Sequence, residues 1–238
     1  MIERFFEAER VGLFLDYDGT LAPIVPHPED ARMADGTRLA LERLACNSKY
    51  TIALVSGRGL ADLETRVGIP GIVYAGNHGL EIRGCGLRFS IGGVDVLRQV
   101  VHELRAGVRA IAGAEVEDKG LTASVHFRRV APGDWPAVER IVRGTAPSGI
   151  AIHEGKMVFE IRPAVSWNKG SAVRWMVEQL DLEGALLAYF GDDRTDEDAF
   201  AVLPEGVTVR VGEGESLARW RMRDVEQVET FLRALTGD

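Results

Sequence analysis

The chain has 238 residues, of which 46% are hydrophobic and 27% charged, and its formal net charge at pH 7 is −8. These proportions are typical of a globular protein and argue against a disordered chain. The negative charge disfavours nucleic acid and anionic membrane as partners, and no apolar run approaches the roughly 20 residues of a membrane-spanning helix.

The length and the two cysteines limit the expected class of protein further. A chain of this size has room for one main body and one insertion. The first ten residues lack the apolar core and cleavage site of a signal peptide, and Cys46 and Cys85 lack metal-ligand spacing. We therefore expect a cytoplasmic protein with reduced thiols, and we expect it to be a monomer.

An apolar run at residues 11–15 ends in two aspartates, Asp16 and Asp18, with Tyr17 between them. Because side chains alternate along a strand, we expect both carboxylates to point one way and Tyr17 the other. Two such charges repel by roughly 1 kcal/mol in water and by about 4 kcal/mol at an effective dielectric of about 20. The site therefore needs a metal ion, a cation or a proton.

The next segments alternate between helix and strand patterns. Residues 37–47 are predicted to be helical, and short apolar runs at 51–55 and 72–75 are predicted strands. This alternation predicts a parallel sheet with helices on both faces. Ser56 and Arg58 follow the second strand, and ligands bind at that end of the strands in open α/β sheets.

Residues 92–164 have a different pattern, which predicts an inserted α+β layer. Apolar residues recur at helical spacing over 94–111, and a second helix is predicted at 135–145. Residues 121–128 and 156–162 alternate between apolar and polar side chains, as antiparallel strands with one solvated face do. The polar side chains predicted on or near this open face are Glu117, Lys119, His126, Arg128, Lys156 and Glu160.

The parallel pattern resumes after Pro163. The remaining predicted elements are a helix at 171–180, strands at 186–190 and 207–211, and a helix at 225–235. Lys169 lies at the start of the first of these helices, and an acidic run, residues 191–200, follows the strand at 186–190.

Several motifs carry a resemblance to a known family. DYDGT at 16–20, VSGR at 55–58, NKG at 168–170 and GDDRTDEDAF at 191–200 resemble the haloacid dehalogenase-like phosphatase superfamily. Within it, DYDGTLAPI, GNHGLE, VEDK and GKMVFEIRP, together with the acidic run, closely resemble the trehalose-6-phosphate phosphatases. The resemblance implies a Rossmann-like parallel-sheet core, residues 1–91 and 165–238, with an inserted α+β cap at 92–164 that determines substrate specificity.

The resemblance also implies catalytic roles. Asp16 would attack phosphorus and become an aspartyl phosphate, a role suited to a carboxylate that is already ionised near neutral pH. Asp18 would protonate the departing sugar oxygen and then deprotonate the attacking water, for which we expect a raised pKa. Ser56 and nearby backbone N–H groups would bind the phosphate oxygens, and Lys169 would neutralise the transferred charge.

A magnesium site is implied by the same motifs. Mg²⁺ would be held by the Asp16 carboxylate, the Asp18 backbone carbonyl and Asp192, because this hard cation takes oxygen ligands. Asp193 would bind through a water molecule or orient Asp192. Asp196 would not bind the ion itself but would orient the residues that do.

Substrate-binding residues are expected in both parts of the chain. In the core these are Thr20 and Arg58, although Arg58 is equally compatible with an internal salt bridge. His78 and His126 are expected to be structural. In the insertion, a solvated polar sheet face is the alternative to a face that binds the sugar. Its predicted substrate-binding residues are Lys119, Arg128, Glu154, Lys156 and Glu160.

The expected activity is Mg²⁺-dependent hydrolysis of trehalose 6-phosphate to trehalose and phosphate through an aspartyl phosphate. The nearest alternative is a phosphatase for sucrose phosphate or a glycosyl-3-phosphoglycerate. A signalling receiver domain is a remote alternative, opposed by the insertion and by Asp18, and a nucleotide-binding module is disfavoured because GxxxxGK[ST] is absent. The expected partner is a small sugar phosphate, with no nucleic acid and no membrane.

Overall fold

A computed structural model of the chain describes residues 1–92, 94–155 and 157–237. The chain divides into two compact units, Met1–Phe89 with Trp167–Asp238, and Ser90–Ser166. The sequence pattern placed the insertion at residues 92–164.

The strands are numbered in chain order. They are β1 (Val11–Leu15), β2 (Tyr50–Val55), β3 (Val73–Gly76), β4 (Glu81–Gly84), β5 (Leu87–Ser90), β6 (Glu115–Asp118), β7 (Ala123–His126), β8 (Ile150–Gly155), β9 (Val158–Pro163), β10 (Leu186–Gly191), β11 (Val207–Val211) and β12 (Trp220–Met222). The α-helices are α1 (Ile2–Glu7), α2 (Asp35–Ala45), α3 (Leu60–Val67), α4 (Val94–Val108), α5 (Trp135–Thr145), α6 (Lys169–Gln179), α7 (Glu197–Ala201) and α8 (Val225–Thr236).

An eight-stranded sheet in the order β12-β11-β10-β1-β2-β3-β4-β5 forms the centre of the larger unit. The pairs from β12 to β3 are parallel, and β4 pairs antiparallel with β3. The predicted α/β architecture with a mostly parallel sheet is therefore confirmed. The antiparallel end of the sheet was not predicted, because β4 is short and only its Ile82 is buried.

Helices cover both faces of this sheet. On one face, Leu13 and Leu15 belong to a buried cluster with Leu41 of α2 and Phe231 of α8. On the other face, Phe14 packs in a cluster with residues of α6 and α7. Strand β1 is buried along its whole length because alternate residues point into these two clusters.

The order of the strands fixes where a ligand site can form. From β1 the chain proceeds through β2 and β3 on one side, whereas β10, β11 and β12 lie on the other. The reversal lies between β1 and β10, which are parallel neighbours. In open α/β sheets this switch point opens a crevice at the carboxyl ends of the strands.

The smaller unit contains a four-stranded sheet in the order β6-β7-β9-β8, with antiparallel pairing throughout. Val125 and Ile161 share a buried cluster with Leu104 of α4 and Val138 of α5. The sequence pattern predicted only two of these strands. Strand β6 was missed because it is short and mostly polar, without a regular alternation. Within the described ranges, no helix combines the length and hydrophobicity that a bilayer span requires.

Candidate active site

Lys169, Asp16 and Asp196 form a buried ionic group at the carboxyl end of the larger sheet. Lys169 Nζ lies 2.7 Å from Asp16 Oδ1 and 2.7 Å from Asp196 Oδ1. Asp16 directly follows β1 and Asp196 follows β10, so the switch point brings together residues from distant parts of the sequence. The three residues have relative exposures of 2%, 4% and 0%, respectively, so these charges are shielded from bulk water.

The start of α6 fixes the position of Lys169. The Asn168 side chain caps the helix by accepting a hydrogen bond from the Ser171 backbone N–H at 2.9 Å. A cation in the first turn of a helix is opposed by the helix dipole, and Lys169 therefore needs anionic partners there. Burial lowers the pKa of Lys169, but Asp16 and Asp196 outweigh burial and hold the pKa above its usual value.

Asp192 adds a third carboxylate to those of Asp16 and Asp196, and these three residues form the acidic group of the site. Asp16, Asp192 and Asp196 each offer a carboxylate oxygen, and these oxygens lie within 4.8 Å of one another, so the group could hold a metal ion. Burial and the nearby Asp196 raise the pKa of Asp192 to about 7. Burial likewise raises the pKa of Asp16 well above its usual value, although Lys169 opposes the shift. The group therefore has more negative charge than Lys169 alone neutralises.

The two remaining acidic residues of this run have different surroundings. Both oxygens of Asp196 accept hydrogen bonds, Oδ1 from Lys169 and Tyr189 and Oδ2 from the Asp193 backbone N–H. These bonds suit Asp196 to orienting Lys169 better than to binding a metal. The Asp193 side chain caps the short helical turn at Arg194–Asp196. Asp193 does not belong to the acidic group of Asp16, Asp192 and Asp196. Its role as a metal ligand through water stays a prediction.

Gly19 allows Asp192 to approach the β1 turn. The φ angle of Gly19 is +81°, which L side chains rarely adopt, and an added Cβ would overlap the Asp192 carboxylate. The glycine of the DYDGT motif therefore provides both the turn and the space for the acidic side chain that directly follows β10.

Asp18 and Arg58 form a two-pronged ion pair. Arg58 Nε donates to Asp18 Oδ2 and Nη2 donates to Oδ1, each at 2.7 Å. Of the two interpretations of Arg58, the structure contains the internal salt bridge. One guanidinium therefore contacts both oxygens of the Asp18 carboxylate and fixes the plane of that side chain.

The loop that contains Ser56 is held by the turn after β3. The His78 backbone N–H donates to the Ser56 carbonyl at 2.8 Å, and that of Asn77 donates to the Arg58 carbonyl at 2.7 Å. Asn77 and His78 both have positive φ angles, 52° and 58°. Such strain in non-glycine residues is often found at functional sites. This agrees with the prediction that His78 shapes the loop.

Thr20 and Ser56 present hydroxyl groups in the same unit. Thr20 is fully buried, and its Oγ1 has no hydrogen-bond partner among the described residues. Ser56 is 1% exposed, and its Oγ accepts a hydrogen bond from the Arg58 backbone N–H at 3.1 Å. A buried hydroxyl without a partner is costly, so Thr20 suits a polar ligand atom.

In the smaller unit, the sheet register gives the predicted substrate-binding residues different environments. Glu117, Ser124, Glu160 and His153 are successive cross-strand neighbours and so lie in one row on one face. Lys119 Nζ lies 3.7 Å from Glu117 Oε2. A polar row therefore crosses this sheet face.

Two other predicted substrate-binding residues, Glu154 and Arg128, are not part of this row. Glu154 is paired with Phe159, which is buried on the opposite face, and its carboxylate contacts Arg143 of α5. Arg128 lies beyond the end of β7 and is exposed. Lys156 is outside the described residues. A substrate contact by Glu154 or Arg128 stays a prediction.

Two residues of the larger unit were missed by the sequence reasoning. The Tyr189 hydroxyl donates to Asp196 Oδ1 at 2.7 Å from within β10. Asp62 accepts a hydrogen bond from Arg58 Nη1 at 3.0 Å. The spacing of four between Arg58, Asp62 and Arg66 was a usable signal for a chain of ion pairs. Tyr189 lies inside an apolar strand and gave no such signal.

Comparisons with known proteins relate this geometry to a family. Residues 14–224 match the family model described as trehalose-phosphatase. The chain is 34% identical over 264 residues to probable trehalose-phosphate phosphatase 2 of Oryza sativa subsp. japonica, covering 96% of this chain and 69% of that protein. It is 38% identical over 216 residues to trehalose-phosphate phosphatase of Mycobacterium marinum, covering 87% of this chain and 55% of that protein.

Solved structures give the same relationship. The C-terminal domain of trehalose-6-phosphate phosphatase from C. albicans superposes with a TM-score of 0.83 at 25% identity, covering 99% of this chain and 95% of that one. A haloacid dehalogenase-like hydrolase from Bacteroides thetaiotaomicron has a TM-score of 0.67 at 15% identity, covering 94% and 99% of the two chains. The second similarity is one of fold alone.

Proposed function

The chain belongs to the trehalose-phosphatase family and is a phosphatase, and we propose that it hydrolyses trehalose 6-phosphate to trehalose and phosphate through an aspartyl phosphate. The proposal rests on the hydrogen bond from Lys169 to Asp16. Asp16 directly follows β1, and β1 pairs with β10, the strand that leads to Asp192. A buried carboxylate held by a lysine is suited to attack phosphorus rather than to remain solvated.

Asp16 is the proposed nucleophile. Lys169 contacts Oδ1, which leaves Oδ2 to attack phosphorus. A bond forms between this oxygen and phosphorus as the bond between phosphorus and the sugar oxygen breaks. Lys169 stabilises the charge on the transferred group, as preorganised cations do in phosphoryl transfer.

Asp18 is the proposed acid and base. It gives a proton to the departing sugar oxygen, and in the second step it takes a proton from the water that attacks the aspartyl phosphate. Inorganic phosphate leaves and Asp16 is regenerated as a carboxylate. Each step leaves Asp18 in the protonation state that the next step needs.

The acidic group fits a bound Mg²⁺. Asp16 and Asp192 offer close carboxylate oxygens, the donor type that this hard cation prefers. When bound, the ion would supply positive charge next to the phosphoryl group. The Asp18 backbone carbonyl is the third proposed ligand, and Asp193 is proposed to bind through water.

Phosphate and sugar are bound by different groups in this proposal. The Ser56 and Thr20 hydroxyls bind phosphate oxygens, which would give the buried Thr20 Oγ1 a partner. The polar row of the smaller unit, with Glu117, Lys119 and Glu160, binds sugar hydroxyls. Carboxylates and a lysine match the many hydroxyl groups of a disaccharide.

The cysteines and the net charge bear on the proposed cellular setting. Cys46 and Cys85 are free and exposed, which favours a reducing compartment such as the cytoplasm. The net charge of −8 disfavours nucleic acid as a partner. We propose a monomer, which analytical ultracentrifugation would test.

A substrate panel tests the function. The kcat/KM values for trehalose 6-phosphate, sucrose 6-phosphate and glucosyl-3-phosphoglycerate are compared with Mg²⁺ and with a chelator. We expect trehalose 6-phosphate to be preferred by roughly 100-fold or more, because a polar site penalises a ligand that leaves its groups unpaired. Preference for another sugar phosphate would overturn the substrate assignment, and full activity in chelator would overturn the metal assignment.

A further inference from the structure

Asp62 and Arg66 continue the ion pair between Asp18 and Arg58 into a chain of four alternating charges. Arg58 Nη1 donates to Asp62 Oδ2 at 3.0 Å. Arg66 Nε contacts both oxygens of Asp62, at 2.9 and 2.8 Å. Burial opposes ionisation of Asp62, but hydrogen bonds from Arg66 and Arg58 outweigh it and lower the pKa of the Asp62 carboxyl. Each charge in the chain therefore has an opposite charge beside it.

Both arginines are also attached to the loop between β1 and α2. Arg58 Nη2 donates to the Pro28 carbonyl at 2.8 Å, and Arg66 Nη1 donates to the Glu29 carbonyl at 3.0 Å. The Arg58 guanidinium lies 5.4 Å from the centre of the Tyr17 ring, which packs in the core. These contacts hold Arg58 in one plane, so it can offer Asp18 only one two-pronged edge.

The hydrogen bonds of Arg58 argue against a main role in binding substrate. A guanidinium has five N–H donors. Four are used by protein acceptors, namely two by Asp18, one by Asp62 and one by Pro28. The group with an accessible surface is Asp18, whose side chain is 37% exposed against 9% for Arg58. Arg58 is thus arranged to direct Asp18.

We propose that Asp62 is a positioning residue that holds Arg58 in place and thereby fixes the direction of the Asp18 carboxyl group for proton transfer to the leaving sugar oxygen. The inference rests on the proposed function, since it takes Asp18 as the acid. Among the described residues, Asp62 makes no contact with Asp18 or with the acidic group of the site. Its influence on the reaction passes through Arg58.

The test compares two substrates in the full-length Asp62→Asn variant. Trehalose 6-phosphate has an alkoxide leaving group that needs a proton, whereas p-nitrophenyl phosphate has a leaving group that departs without one. The value of kcat/KM covers only the steps up to release of that group. We expect kcat/KM for trehalose 6-phosphate to fall roughly tenfold or more, and that for p-nitrophenyl phosphate to stay within about twofold, since general acid catalysis contributes roughly 10²–10⁴-fold.

Glu64→Gln is the matched control. Glu64 lies on the same helix and forms an ion pair with Arg83 at 3.0 Å. We expect Glu64→Gln to leave kcat/KM unchanged for both substrates. Arg58→Lys keeps the charge but loses the two-pronged edge, so it should show the same selective loss and serves if Asp62→Asn fails to fold.

Three outcomes are separable. Equal losses with both substrates would mean a merely structural role for Asp62 and would overturn the inference. The inference would also be overturned if the kcat/KM values of Asp62→Asn equalled those of Glu64→Gln. If Asp18→Asn itself shows no selective loss with trehalose 6-phosphate, the proposed acid role of Asp18 fails and the inference fails with it, whereas the substrate panel tests the proposed function independently.

Discussion

Lys169 donates a 2.7 Å hydrogen bond to Asp16, a residue 153 positions earlier in the chain. Both side chains are buried, and Asp196 shares the lysine at the same distance. Because buried charges are costly unless they are paired, this contact joins the stability of the larger unit to the proposed chemistry.

Replacing Lys169 by Met should reduce both activity and stability. We expect kcat to fall roughly 10²–10³-fold, the usual cost of losing one preorganised charge. The loss leaves two buried carboxylates without their cation, so the free energy of unfolding should fall by about 3 kcal/mol in chelator. Steady-state kinetics and denaturant unfolding measure the two effects.

Lys49→Met is the control for this variant. Lys49 directly precedes β2 and so lies at the amino ends of the parallel strands, opposite the proposed site. Its Nζ contacts the Phe6 carbonyl at 3.1 Å. We expect its kcat to match that of the wild type. Wild-type kcat in Lys169→Met would contradict the proposed charge stabilisation.

Asp16 and Asp18 should differ in a burst experiment. With p-nitrophenyl phosphate, Asp18→Asn should release about one equivalent of p-nitrophenol per enzyme and then stall, because the aspartyl phosphate forms but no base activates water. Asp16→Asn should show no burst and a loss of turnover of roughly 10⁴-fold or more, as for other lost nucleophiles. Rapid-quench kinetics measures the burst. A burst from Asp16→Asn would exclude it as the nucleophile.

Activation by Mg²⁺ should depend on pH through Asp192. The pKa of Asp192, about 7 without a metal, means that a proton competes with the ion below neutrality. Because deprotonation frees the carboxylate for the ion, the Mg²⁺ concentration for half activation should fall as pH rises from 6 to 8, by roughly tenfold per unit below pH 7. Mg²⁺ titrations of activity at several pH values measure this. A half-activation concentration that is constant over this range would contradict Asp192 as a ligand.

Gly19→Ala and Gly86→Ala separate backbone strain from overlap. Both glycines have a φ angle of +81°, but an added Cβ meets Asp192 at Gly19 and nothing within 4 Å at Gly86. Both variants should lose about 1 kcal/mol of stability from the left-handed backbone. Only Gly19→Ala should also lose activity, by roughly 100-fold, because it displaces Asp192. Equal kcat values for the two variants would contradict this account.

The larger unit could be predicted well because its strands are short apolar runs with polar residues at their carboxyl ends. Those runs located β1, β2, β10 and β11 and the side chains that follow them. The smaller sheet was harder to predict. Strand β6 has the sequence EVED, in which local hydrophobicity does not distinguish a strand from a loop, and it forms only by pairing with β7.

The amino-acid sequence alone was enough to predict which side chains could perform the proposed chemistry and which strand ends bear them, because both are local properties of a few neighbouring residues. The ion-pair partners of these side chains emerged only from the folded chain. Lys169 lies between Asp16 and Asp196, and Arg58 pairs with Asp18 and Asp62. Strand register places Glu154 on the face opposite Glu160. A charge in the sequence has many possible partners of opposite sign, and only strand order, register and burial select among them.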